Sequence, residues 1–133
     1  MIVDSSALIA ILTEEPEAPL FAYTIDSHEV VRASAATYLE TSILLDKRRD
    51  PVISARLDEL IMNSEIIIEP VTYEQAKIAR QAYRDYGKGS GHPANLNFGD
   101  CFSYALAREK REPMLYKGDD FVHTDLRSAI SHP

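Results

Sequence analysis

Four short apolar runs constrain this chain most: Met1-Ile2-Val3, Val30-Val31 with Arg32-Ala33, Ile66-Ile67-Ile68, and Met114-Leu115-Tyr116. Each is too short for a buried helix, and long stretches of helical character separate them, so each reads as a strand. After Val3, the sequence Asp4-Ser5-Ser6 opens a helix carrying Ala7, Leu8, Ile11 and Leu12 at helical spacing. Pro16 permits a second helical start over Glu17 to Ser27. From Ser34 to about Arg48, Ala36, Leu39, Ile43 and Leu44 form a stripe predicted to face inward; Pro51 then starts a helix reaching Asn63. Tyr73 to Tyr86 is helical with Ala76, Ala79 and Tyr83 predicted inward, ending at Gly87 as a left-handed cap. Asn97-Phe98-Gly99-Asp100 opens a last helix running to about Lys110, before Pro113. Strands that alternate with helices need crossover connections, which place parallel strands in one sheet with helices on both faces. The pattern predicts an α/β fold, a three-layer α/β/α sandwich around a mainly parallel sheet of four or five strands.

At 133 residues, with 45% hydrophobic and 26% charged side chains, the chain has the apolar content for one domain, residues 1–133. Cys101 is the single cysteine, so no internal disulfide can form and a reducing cytoplasm is expected. The first residues lack a basic leader and are interrupted by Asp4, which argues against a signal peptide or membrane span. The formal charge of −7 is unusual for a partner of nucleic acid, which proteins usually grip with Lys and Arg. Two divalent cations in an acidic pocket would cancel about four of those negative charges locally.

In parallel sheets, ligands bind beyond the carboxyl ends of the strands. Acids stand there: Asp4 after the first strand, Asp119 and Asp120 after the fourth, and Asp100 in the first turn of the last helix. Glu40 lies among Ala36, Ile43 and Leu44 at helical spacing, where an ionised carboxylate needs a partner charge, a metal or a raised pKa. A hard divalent cation would satisfy such oxygens together. Simpler readings stand beside this one. Asp4 and Asp100 fit helix caps, Glu40 fits an ion pair with an inward Arg or Lys, and Asp119-Asp120 fits a turn after Gly118.

At these residues the chain resembles the PIN-domain toxins of VapBC toxin-antitoxin pairs. The similarity runs from MIVDSSALIAIL through SAATYLETSILL and YGKGSGHPANLNFGDCFSYALA to PMLYKGDDFVHTDL. The resemblance implies a PIN-like fold and a metal-dependent endoribonuclease. It implies Asp4, Glu40, Asp100 and Asp119 as catalytic metal ligands for Mg2+, with Mn2+ as an alternative ion. Ser6 is then a supporting hydroxyl, and Asp120 stands beside Asp119 or substitutes for it. It further implies an RNA substrate such as transfer or ribosomal RNA, an antitoxin encoded with the toxin, and a homodimer.

Lys77, Arg80 and Arg84 fall on one helical face leading to Lys88, a stripe suited to an RNA backbone, with Tyr86 available to stack on a base; a solvated helix face explains the same residues. Cys101 sits in an apolar helical pattern and reads as a packed thiol, while His92 and His123 read as surface residues. Leu20, Phe21 and Tyr23 would offer an antitoxin an apolar surface. Two other classes compete. A receiver-like signalling module would use Lys117 with a magnesium pocket, but it needs an aspartate after the central third strand, where Glu69 stands. A catalytically silent partner-binding domain would spend the same acids on salt bridges with another chain.

Overall fold

The computed structural model describes residues 1–130. In chain order the elements are β1 (Ile2–Val3), α1 (Ser5–Leu12), α2 (Ala18–Ser27), β2 (Arg32–Ser34), α3 (Ala35–Asp46), α4 (Pro51–Asn63), β3 (Ile67–Glu69), α5 (Tyr73–Tyr86), α6 (Phe98–Lys110) and β4 (Met114–Leu115), followed by a 3-10 turn at Phe121–His123. The four strands form one parallel sheet in the order β3-β2-β1-β4, with Ile2 opposite both Arg32 and Met114. A single parallel bridge from Met114 to Ser128 extends the β4 edge.

Alternation along β1 divides the core. Ile2 and Val3 are both fully buried, but their side chains point to opposite faces. Val3 packs with Leu8, Phe21, Ile25, Leu45 and Leu57 from α1 to α4. Ile2 packs with Ala82, Leu96, Leu106 and Met114 on the α5 and α6 side. Burying a side chain of this size contributes about 1.5–3 kcal/mol, so the short central strand is a main anchor for both layers. None of the helices among the described residues is long and apolar enough to cross a membrane.

Several local expectations change. β2 begins at Arg32, whose amide donates to the Met1 carbonyl at 2.9 Å, so Val30-Val31 precede the strand. β3 is an edge strand in which Ile67 and Ile68 remain 45% and 37% exposed. Helix α3 turns Thr37, Thr41 and Leu45 inward and leaves Leu39, Ile43 and Leu44 exposed, because Thr37 pairs with Ser103 of α6 while Thr41 satisfies its hydroxyl on the Thr37 carbonyl. Helix α5 buries Gln75 and Ala82, whereas Ala76 and Tyr83 face outward. Gly87 ends α5 in an extended conformation, not a left-handed one. Glycine is required there by crowding: a Cβ would stand 2.3 Å from the Tyr83 carbonyl oxygen.

Candidate active site

Asp4 is where β1 hands over to α1. Its Oδ2 accepts the Ser6 amide at 3.1 Å and the Ser6 hydroxyl at 2.7 Å, which caps the helix. Its Oδ1 accepts the Ser103 hydroxyl at 2.6 Å, and Ser103 in turn shares a hydrogen bond of 3.0 Å with Thr37. The carboxylate is 2% exposed. Ser6 also accepts the Lys117 amide at 3.0 Å, which ties the loop after β4 to the start of α1. Gly118 then turns that loop at φ 101°, a backbone conformation suited to glycine, and delivers Asp119 and Asp120.

Asp100 occupies the third position of α6 and forms a reciprocal capping box. Its amide donates to Asn97 Oδ1 at 2.9 Å, and its own Oδ2 accepts the Asn97 amide at 3.0 Å. Burial pushes the Asp100 carboxyl up to about 7; the Asn97 hydrogen bond opposes this, and the negative charges of Asp4 and Asp120 add to it. The charge of Asp119 acts instead on the Tyr116 phenol.

Glu40 is half-buried, at the boundary between the inward and outward faces of α3. The Ser5 hydroxyl donates to its Oε1 at 2.8 Å. Its carboxylate lies against the backbone of Gly99, where a Cβ would stand only 1.9 Å from Oε2. The cap readings of Asp4 and Asp100 are therefore correct, yet the same two helix starts also bring these acids to one edge of the sheet. The ion-pair reading of Glu40 finds no support, since among the described residues none of Asp4, Glu40, Asp100, Asp119 and Asp120 is paired with Lys or Arg.

An all-oxygen donor set, without cationic partners and with one carboxyl pushed toward its neutral form, fits a hard divalent ion. As placed, however, no group of three or more His, Cys, Asp or Glu among the described residues stands close enough together to hold a metal. A cleft of about 770 Å3 lies toward the far end of α6 beside Tyr104 and Arg108 and includes none of these acids.

The cationic stripe is exposed along its length. Lys77 pairs with Glu74 at 3.2 Å and stands 4.7 Å over the Tyr73 ring, while Arg80 and Arg84 border a cleft between α5 and α6. Lys88 begins the glycine-rich loop, and its amide donates to the Leu96 carbonyl at 2.9 Å. The half-buried Tyr86 ring packs against His92 at 4.9 Å and Tyr104 at 5.8 Å and lines the cleft at the far end of α6. His92 is a loop-fixing residue whose Nδ1 accepts the Ala94 amide at 3.1 Å. Cys101 is a packed thiol, 5% exposed and raised to about 11 by burial and the nearby Asp100 charge. On the surface expected for an antitoxin, Leu20 and Tyr23 are exposed but Phe21 belongs to the core.

The receiver-like reading fails on topology. β3 is an edge strand, Glu69 at its end is bound to Arg32 at 2.7 Å, and Lys117 is held by Glu15 at 2.8 Å and Glu17 at 3.2 Å. Sequence reasoning missed Ser5, Thr37, Gly99 and Ser103, although a serine within the apolar run Cys101–Ala107 was a usable signal.

The model of the PIN domain matches residues 1–126. Ribonuclease VapC28 of Mycobacterium tuberculosis is 58% identical over 130 residues, covering 98% of each chain. Ribonuclease VapC42 of the same species is 47% identical over 131 residues, covering 98% of this chain and 100% of the relative. The crystal structure of Mycobacterium tuberculosis VapC20, described as a sarcin-ricin loop cleaving toxin, superposes with a TM-score of 0.74, covering 94% of this chain and 95% of that one; at 21% identity it shows the shared fold. A family model spanning nearly the whole chain and relatives matched end to end agree: the chain belongs to the PIN-domain family, in its VapC group.

Proposed function

We propose that this protein is a divalent-metal-dependent endoribonuclease and the toxin of a toxin-antitoxin pair. The observation that carries the reading is that the acids at the starts of α1 and α6 have no Lys or Arg partner among the described residues: Asp4 is buried, its charge and that of Asp120 act on Asp100, and Glu40 lies against the same helical turn. The relatives named ribonucleases point the same way.

Asp4, Glu40 and Asp100 would hold Mg2+ or Mn2+. The resemblance assigns the fourth position to Asp119; the charge that Asp120 exerts on Asp100 makes Asp120 the better candidate. The ion, when bound, supplies Lewis acidity toward the phosphodiester and activates water. The protein's own groups prepare the site. Ser103 and Ser6 fix the two oxygens of Asp4, Ser5 fixes Glu40, and Asn97 fixes Asp100. The amino end of α6 adds a positive dipole facing the phosphate. Arg80, Arg84 and Lys88, with Lys77 beyond its pairing to Glu74, would steady the RNA backbone. The substrate is a structured RNA of the transfer or ribosomal class, cleavage takes place in the cytoplasm, the chain acts as a homodimer, and a cognate antitoxin silences it.

The test is cleavage of total RNA by purified protein with Mg2+ or Mn2+. Wild type should cleave, EDTA should stop it, and Asp100→Asn should reduce the rate at least a hundred-fold while keeping the fold. Equal cleavage by the variant, or cleavage unaffected by EDTA, would remove Asp100 or the metal from the mechanism.

A further inference from the structure

A cleft lies on the other flank of the helical turn that presents Asp100. Helices α5 and α6 enclose about 450 Å3 there, and the small side chains of Ala76 and Ala79 create the hollow. Phe98, Phe102 and Tyr83 form its walls, with Arg80 and Arg84 along the exposed side. Phe98 is 77% exposed, the most exposed of the large hydrophobic side chains, and its ring meets that of Phe102 edge to face at 4.9 Å. A phenylalanine left in water contributes little to folding, because burial is what makes it stabilising. Neither arginine has an acidic partner among the described residues, in a chain carrying a formal charge of −7.

We propose that this cleft is a nucleotide subsite which takes one unpaired base of the RNA strand, stacked on the exposed ring of Phe98 that Phe102 braces edge to face, while Arg80 and Arg84 hold the adjoining phosphate. The inference rests on the endoribonuclease reading. Aromatic faces bind bases of any sequence, and guanidinium groups match phosphate, so the pairing of the two types identifies a single-stranded nucleotide better than an apolar peptide. Position supports this. Phe98, Gly99 and Asp100 are consecutive within one turn, whose pitch is about 5.4 Å, so a strand crossing the tip of α6 reaches the cleft and the carboxylates together. A base inside a duplex cannot enter without leaving its stack, which makes the subsite selective for loops and unpaired segments.

The experiment uses the full chain and a short single-stranded oligoribonucleotide carrying 2-aminopurine, first in EDTA so that binding is read without cleavage, then with Mn2+. Binding should change the fluorescence of wild type and be weaker for the matching duplex. Phe98→Ala and Arg84→Gln should each weaken binding roughly ten-fold or more, Phe98→Tyr should restore it, and melting temperatures should stay near wild type because both side chains are exposed. Unchanged affinity and fluorescence in Phe98→Ala would overturn the proposal, as would a shift from dimer to monomer in sedimentation with RNA affinity intact, which would assign the cleft to a second copy. The two readings separate cleanly. Cleavage by wild type and Phe98→Ala alike sinks the subsite and leaves the nuclease; Phe98-dependent base binding without cleavage in Mn2+ sinks the nuclease and leaves the subsite.

Discussion

Asp100 carries two opposed demands. As the acid of a capping box it should be ionised, yet burial and the charges of Asp4 and Asp120 push its carboxyl up to about 7. In the unfolded chain the same group titrates near 3.8. Between those values the native state binds a proton that the unfolded state releases, so metal-free stability falls as pH rises through that window and levels off above about 7. Solvent still reaches the half-buried group, so the loss between pH 5 and 8 should be on the order of 1–2 kcal/mol. Urea unfolding in EDTA at the two pH values checks this. Asp100→Asn should flatten the difference, and an equally steep dependence in that variant would show that another group is responsible. The sequence made Asp100 visible as an acid at a helix start, but capping and crowding look alike in one dimension.

At the scale of elements, the site depends on how closely α3 approaches the first turn of α6. Gly99 has no side chain, and the Glu40 carboxylate fills the space where one would be. Gly99→Ala would place a methyl group 1.9 Å from Glu40 Oε2, so Glu40 must swing away from Ser5 or the helices must part. The predicted result is a cleavage rate at least ten-fold lower, with about 1–3 kcal/mol of stability lost if the helices give way. Wild-type rate and Mn2+ affinity in that variant would show that Glu40 is not needed where it stands. The order of the helices was legible, but the inward face of α3 was not. Hydrophobic periodicity selected Leu39, Ile43 and Leu44, whereas the buried contacts are hydroxyl pairs through Thr37 and Thr41, which look polar and surface-like in a sequence.

For the whole molecule, the charge of −7 and the acidic sheet edge are linked. A cation that binds the folded state alone stabilises it by mass action, about 2.7 kcal/mol at a hundred times its dissociation constant. Mg2+ or Mn2+ should therefore raise the melting temperature of wild type by several degrees and leave Asp4→Asn almost unmoved; the same rise in both would place the ion elsewhere. The sequence by itself determined the alternation of strands and helices and the acids at strand ends, because each follows from local periodicity and chain connectivity. Only the tertiary structure decided that the charge of Asp120 acts on Asp100, that the Tyr86 ring packs against His92 and Tyr104, and that Ser103 reaches Asp4 across 99 residues. Those outcomes depend on how elements distant in sequence approach one another, and side-chain distances across such gaps are set by packing that no local pattern encodes.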